Sequence, residues 1–393
     1  MTDILDVARA RRETPGCENV LHFNNAGASL APLPVLRAQT EHLELEARIG
    51  AYEAELRSRD AIEHTYDALA ALVGCHRDEI AVVESATRAW DAAFYAVPLR
   101  TGDRILCSQA EYAANYIAFL QVARRTGAEI VPVPNDEHGQ ISIEALRGLI
   151  DDRVKLIALT HVPTNGGLVN PAEAVGRVAR EANVPFLLDA CQSVGQMPTN
   201  VDALGCDMLS ATGRKYLRGP RGTGFLYVRR SLIEKLEPLT LDLHAARWVS
   251  RDRYELRTDA RRFECSEITY AGKLALGVAV DYAMSFGLSA IRDRVTIVAE
   301  ALRAELSTIP GVLVRDVGAV RCGIVSFTVE GREPAWIMER LRAQGINVWT
   351  SSQAGTRLDM ESRGLAAVVR ASVHYYNTEE EVARCCAAIR ALV

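Results

Sequence analysis

Apolar residues in the middle of the chain gather in short unbroken runs rather than in alternation. Glu79–Val83, Arg104–Ser108, Glu129–Val133, Val154–Thr160, Pro185–Asp189, Cys206–Ser210 and Gly224–Val228 are such runs. A short apolar run bounded by turn residues predicts a strand covered on both faces. Helical patterns stand between them, among them Asn115–Thr126 and Pro171–Ala182, the latter with Asn170 as its N-cap. Strand and helix alternating at this spacing predict an α/β layer with a mostly parallel sheet. Ligands of such sheets sit outside the carboxyl ends of the strands.

The pattern changes near residue 270. Two long helices are expected over Tyr270–Phe286 and Leu288–Thr308, then strands at Cys322–Val329, Ile346–Thr350 and Val368–His374, with helices at Pro334–Gln344 and Glu379–Leu392. This divides the chain into a large domain over 23–270 and a smaller α+β C-terminal domain over 271–393. Residues 1–22 are too few for a domain and are expected to pack on the small one.

Composition narrows the function classes. The chain has 393 residues, 49% of them hydrophobic, and a net charge of −5, which suits a large core and excludes dominant disorder. No basic stripe is present, so no nucleic-acid partner is expected. No apolar run approaches the length of a membrane span. The first residues lack the apolar core of a signal peptide and carry acids, so a cytoplasmic location is expected. The nine cysteines are scattered without a CxxC pair and the eight histidines form no HExxH, so no metal site is expected. Only four lysines occur, at 155, 215, 235 and 273, and arginine fills nearly every other basic position. Chemistry that needs a deprotonatable amine has few places to reside.

The segment from Ser210 to Val228 is the most suggestive. A small polar loop ends in Lys215, and a Gly/Pro-rich turn leads into a buried strand. A solvated surface lysine is the plain alternative. An enclosed, electropositive setting makes a lysine amine nucleophilic towards carbonyls. Arg214 and Arg218 would favour the neutral amine and could hold a phosphate. Upstream, Asp189 ends an apolar strand, where a charge needs a partner: a helix N-terminus, or a buried cation such as a pyridine ring nitrogen.

Asp189-x-x-Gln192 followed by Thr-Gly-Arg-Lys215 resembles the pyridoxal-phosphate site of fold-type I enzymes, specifically the class V aminotransferase and cysteine desulfurase superfamily. Further parts stand in the family's order: Asn24-Asn-Ala-Gly27, Ser85-Ala-Thr87, Ala110-Glu-Tyr-Ala-Ala-Asn115, Thr160-His-Val162, and Val369-Arg-Ala-Ser372 followed by Tyr376-Asn-Thr378. The resemblance implies pyridoxal 5′-phosphate held covalently by Lys215, with Asp189 on the protonated ring nitrogen. It implies Gln192 on the phenolic oxygen, helped by Thr164 or Asn165, and Tyr112 stacked over the ring in place of a histidine. Ala86 and Thr87 would offer helix N-terminal N–H groups to the phosphate, with Thr212 and Arg214 beside them. Arg370 would grip the substrate carboxylate, with Asn25 and Tyr52 also on the substrate side. Thr269 lies where family members reach the neighbouring subunit's phosphate, which implies a homodimer.

The reaction is the open question. In the desulfurases a mobile cysteine follows the strand that here leads into Val348–Gly355. Its position falls near Ala354, and no cysteine occurs between 322 and 385. Ile49-Gly-Ala-Tyr52 and Glu111-Tyr-Ala-Ala-Asn115 look similar to segments of C–S lyases such as the ergothioneine-pathway lyase. The expected reaction is β-elimination at a C–S bond of an amino acid. Transamination, epimerisation of the isopenicillin N epimerase kind, and a cofactor-retaining binding protein are the alternatives.

Overall fold

The computed structural model describes residues 5–393. Its centre is a seven-stranded sheet in the spatial order Ile80–Val83, Gly224–Val228, Met208–Thr212, Phe186–Asp189, Val154–Thr160, Arg104–Cys107, Glu129–Pro132. Met208–Thr212 and the strands beyond it are mutually parallel, whereas Gly224–Val228 runs antiparallel to both its neighbours. The runs at Ile80–Val83, Phe186–Asp189, Met208–Thr212 and Gly224–Val228 are buried as their lack of alternation requires, whereas Glu129–Pro132, at the sheet edge, is exposed to half-buried. Side chains alternate between two cores: Ile157, Leu159 and Leu188 face one, and Leu156, Ala158 and Leu187 face the other. Helices Ala86–Phe94, Ala113–Thr126 and Ala172–Ala182 cross between strands and cover the faces.

Some expected boundaries move, for local reasons. The Cys206–Ser210 strand is Met208–Thr212; just before it Asp207 is tied to Phe186 by both its N–H and its carboxylate, which takes the Phe186 N–H (3.0 Å). Asn170 does not cap the following helix: Pro171 is its N-cap. The Asn170 amide instead donates to the Thr160 carbonyl and accepts from the Ile141 N–H, tying the end of one strand to a neighbouring loop. The Ile346–Thr350 stretch divides between two sheets. Ile346–Asn347 pairs with Leu21–His22, and Trp349–Ser352 pairs with Ala367–Ser372.

The C-terminal part holds a four-stranded antiparallel sheet ordered Val312–Val314, Ile324–Val329, Ala367–Ser372, Trp349–Ser352, with helices Leu288–Ser307, Pro334–Arg342 and Glu379–Arg390. Helix Tyr270–Met284, buried along most of its length, packs against Leu33–Ile49 and Arg59–Val73. Of the N-terminal segment, residues 1–4 lie outside the described residues. The rest reaches the C-terminal part: Arg11 Nη1 donates to the Tyr376 carbonyl and to Glu381 Oε1. Among the described residues no single helix is long and apolar enough to cross a membrane.

Candidate functional site

A pocket opens at the carboxyl ends of the parallel strands. It is lined by Ser85, Ala86, Thr87, Tyr112, Thr160, Val162, Thr164, Asp189, Cys191, Gln192, Thr212, Arg214 and Lys215. Each comes from a strand end, the loop after it or the first turn of the next helix, so residues far apart in sequence meet at one end of the sheet. Two glycines make the close approaches possible. A Cβ on Gly224 would stand 2.7 Å from the Ser85 carbonyl carbon and 2.9 Å from the Ala86 nitrogen. Gly195, at φ +83°, lets the turn after Asp189 touch the Tyr216–Leu217 backbone beside Lys215.

Lys215 lies in the loop after Met208–Thr212, enclosed by protein but open towards the pocket. Burial pushes its amine down, and the charges of Arg214 and Arg370 act in the same direction, while Cys191 and Asp189 oppose them. Its Nζ stands 6.0 Å from the centroid of the Tyr112 ring. Asp189 is 5% exposed. Its Oδ2 accepts from Asn115 Nδ2 (3.0 Å) and its Oδ1 from the Cys191 N–H (2.9 Å), so the carboxylate is oriented rather than merely buried. Gln192 donates through Nε2 to the Ala26 carbonyl (3.1 Å), and its buried Oε1 has no partner.

At the other end of the pocket, Ser85 caps helix Ala86–Phe94 by accepting from the Arg88 N–H (3.2 Å). The first N–H groups of that helix and its dipole make an anion seat. The helix is held from behind by Trp90 and Phe94, both buried and packed on Phe119. Burying each ring contributes about 2–3 kcal/mol, so the seat is rigid. Arg214 donates to the Gly27 carbonyl. Arg370, from strand Ala367–Ser372, is 6% exposed and donates to Thr164 and, at 3.4 Å, to Asn24 Oδ1. Its buried Nε has no partner. Burial lowers its guanidinium to about 10. An arginine so enclosed among neutral partners lacks the anion that its environment calls for.

The structure therefore brings together Lys215, Asp189, Gln192, Tyr112, Ala86, Thr87, Thr164, Thr212 and Arg214, with Arg370 reaching in through Thr164. Of the pair Thr164 and Asn165, Thr164 faces the pocket; Asn165 is turned to Thr356 Oγ1 (2.8 Å) and Met360. Two expected residues stand elsewhere. The Asn25 side chain is consumed internally, donating to the Ser372 carbonyl (2.7 Å) and accepting from the Tyr376 hydroxyl (2.5 Å). Tyr52 is 79% exposed on helix Ala51–Arg57, outside the pocket. Thr269, expected to reach a neighbouring subunit rather than this pocket, accepts from the Gly272 N–H through Oγ1 as the cap of helix Tyr270–Met284. Arg218 is no phosphate ligand either: it is fully buried against Tyr375, Tyr376 and Tyr282 and donates to the Leu30 carbonyl and Tyr375 Oη.

Cys191 lines the pocket and Asn115 and Thr160 support it, although nothing in their local sequence marks them for those places. Asn115 closes a segment singled out by the sequence, but only the fold sets its amide on Asp189. His161 is buried and desolvation holds its imidazole down to about 4, so it is neutral.

Fold and site together define an enzyme in which an enclosed lysine, an oriented carboxylate and an anion seat converge. The comparisons with known proteins agree. The model of the family described as aminotransferase class-V matches residues 21–385, and the chain belongs to that family. It is 30% identical over 380 residues to a probable cysteine desulfurase of Methanothermobacter thermautotrophicus, covering 95% of this chain and 94% of that protein. A probable cysteine desulfurase of Xylella fastidiosa is 32% identical over 371 residues, covering 93% and 89%. Among solved structures, the apo cysteine desulfurase of Thermococcus onnurineus NA1 superposes with a TM-score of 0.92 at 25% identity, covering 99% of this chain and 98% of that one. The cystine C–S lyase C-DES, in complex with its reaction product cysteine persulfide, shares the fold at a TM-score of 0.86 and 23% identity, covering 96% and 99%. The fold is that of the fold-type I pyridoxal-phosphate enzymes.

The residues fit pyridoxal 5′-phosphate. The open amine of Lys215, the oriented Asp189, the Gln192 amide and the helix seat at Ser85–Thr87 would supply its covalent anchor, ring-nitrogen partner, phenolic-oxygen contact and phosphate site.

Proposed function

We propose that the protein is a carbon–sulfur β-lyase acting on cysteine or a cysteine conjugate, by the overall reaction R–S–CH2–CH(NH3+)–CO2− + H2O → R–SH + pyruvate + NH4+. The observation that carries this reading is a complete lysine, aspartate and arginine set in a chain with no thiol at the desulfurase position. Ala354 stands there, and residues 323–384 contain no cysteine. Cys191 lines the pocket, but burial pushes its thiol well up, with the Asp189 charge adding to it, so it is a poor sulfur acceptor.

Bound pyridoxal 5′-phosphate supplies a carbonyl for the substrate amine and a ring that withdraws electrons from the α-carbon. The chain's own residues do the rest. Lys215 would hold the cofactor, and its Nζ would serve as the base that takes the α-proton, a role that suits an amine depressed by burial. Asp189 keeps the ring nitrogen protonated, steadied by Asn115. Arg370 receives the substrate carboxylate with Nε and the Nη groups now turned to Thr164 and Asn24. Tyr112 forms one wall of the pocket, its ring centroid 6.0 Å from Lys215 Nζ. Expulsion of the thiol needs no protein nucleophile.

The enzyme acts as a homodimer. Leu243, Trp248 and Leu239 are 86%, 79% and 61% exposed on one segment, a concentration of apolar surface that suits a second copy of the chain. A cytoplasmic location accords with nine cysteines that are all free.

The test incubates holoenzyme with cysteine, cystine and cysteine S-conjugates. Pyruvate and ammonia in equal amounts support the lyase. Alanine with transferred sulfur makes it a desulfurase, stoichiometric amination of the cofactor a transaminase, and α-deuterium exchange with inversion an epimerase.

A further inference from the structure

Glu111 is a buried carboxylate that the reaction above does not use. It sits in the loop after strand Arg104–Cys107 and is 3% exposed. Both oxygens are held. Oε1 accepts from Ser108 Oγ (2.8 Å) and from the Thr160 N–H (2.9 Å), and Oε2 accepts from Thr160 Oγ1 (2.7 Å). A threonine hydroxyl has one proton and two lone pairs. With that proton given to Glu111, Thr160 Oγ1 turns a lone pair to the Tyr112 N–H, 3.3 Å away. Tyr112 is 40% exposed, so packing alone does not fix its ring. Its backbone places the ring: the carbonyl accepts from the Tyr116 N–H at the helix start (3.1 Å), and the N–H is tied to Glu111 through one hydroxyl.

We propose that Glu111 is a positioning residue that, through Thr160, sets the Tyr112 ring over the pocket opposite Lys215. This rests on reading Tyr112 and Lys215 as walls of the cofactor pocket. The arrangement carries an electrostatic cost. Burial raises the Glu111 carboxyl to about 7, with the Asp189 charge adding to it, against the hydrogen bonds from Thr160 and Ser108. The other groups facing it are Cys107 on its own strand, Tyr112 and Tyr116 at the start of helix Ala113–Thr126, and Arg357 across the adjoining cavity. A glutamine can keep the geometry: its Oε1 accepts from Ser108 and the Thr160 N–H, and its Nε2 donates to Thr160 Oγ1, which still has a lone pair for Tyr112. An alanine cannot.

The experiment compares Glu111→Gln, Glu111→Ala and Thr160→Val as holoenzymes. One readout is the visible circular dichroism of bound cofactor, which is independent of turnover. The other is the split of kcat and KM for elimination between pH 6 and 9. Glu111→Ala and Thr160→Val are expected to lose about half or more of the dichroic amplitude and roughly tenfold or more in kcat, with KM changed less than about threefold. Glu111→Gln is expected to keep the amplitude, hold kcat within about threefold, and lack an inflection near neutrality shown by the parent. Unchanged dichroism and kcat in Glu111→Ala would overturn the proposal. So would Glu111→Gln falling as far as Glu111→Ala, because charge rather than placement would then be the role. Thr160→Val decides the matter should Glu111→Ala fail to fold. If no amino acid is turned over, the lyase reading fails while the dichroism still judges Glu111.

Discussion

Replacing Asp189 by asparagine removes one charge and little else. The carboxylate accepts one bond from the Cys191 N–H at 2.9 Å and one from Asn115 Nδ2 at 3.0 Å. Asparagine keeps its oxygen for the Cys191 N–H, and a flip of the Asn115 amide offers an acceptor to the new NH2 group. The fold should therefore survive with a small change in melting temperature. What is lost is the anion facing a protonated ring nitrogen in a pocket where Asp189 is 5% exposed. A hydrogen bond between charged groups in such a site contributes about 2–3 kcal/mol. At 1.36 kcal/mol per decade, the loss in kcat is roughly 30- to 150-fold as a minimum, because electron withdrawal by the ring falls as well. The assay is stopped-flow and steady-state elimination on protein with measured cofactor content, so that weaker binding is not mistaken for slower chemistry. Asp189→Asn with full cofactor and a kcat within about twofold of the parent would refute this role for Asp189.

Lys215→Ala should lose the visible band of covalently bound cofactor, and borohydride reduction of the parent should mark Lys215 rather than Lys155, Lys235 or Lys273 in peptide mapping. Arg370→Lys should raise KM about 10- to 150-fold with kcat less affected, since a point charge cannot reproduce a bidentate grip; an unchanged KM would place the substrate carboxylate elsewhere. The Glu111 carboxyl is raised from 4.5 to about 7 by burial, so its ionisation weakens the fold as pH rises through that window and not below it. Glu111→Gln should therefore match the parent in stability near pH 4 and exceed it by up to about 3 kcal/mol above pH 7 in chemical denaturation; a gain confined to acid pH would contradict the sign. Leu243→Asp with Trp248→Asp should shift sedimentation from dimer to monomer, and an unaltered dimer would put the interface on another face.

Much of the fold could be read along the chain. Unbroken apolar runs such as Phe186–Leu188 mark strands covered on both faces, and their alternation with helices marks a parallel sheet, because only crossover helices can return the chain to the same edge. Lys215 and Asp189 were legible for a related reason: an amine in an arginine-rich sequence and a charge at the end of a buried strand both need partners. Arg370 came from the resemblance, and its place on a buried strand adds the same need for a partner. Other assignments depended on where side chains turn, which local sequence does not encode. Asn25 and Asn165 are polar residues in suggestive segments, yet each is spent on bonds to chain far away, Asn25 on Ser372 and Tyr376, Asn165 on Thr356 and Met360. Arg218 lies three residues from Lys215 but points into a cage of tyrosines. The links from Asn115 to Asp189 and from Glu111 through Thr160 to Tyr112 exist only because three strands end side by side. Sequence periodicity determined which residues are buried and in what elements; the order of strands in the sheet, a long-range property, decided which buried polar groups meet.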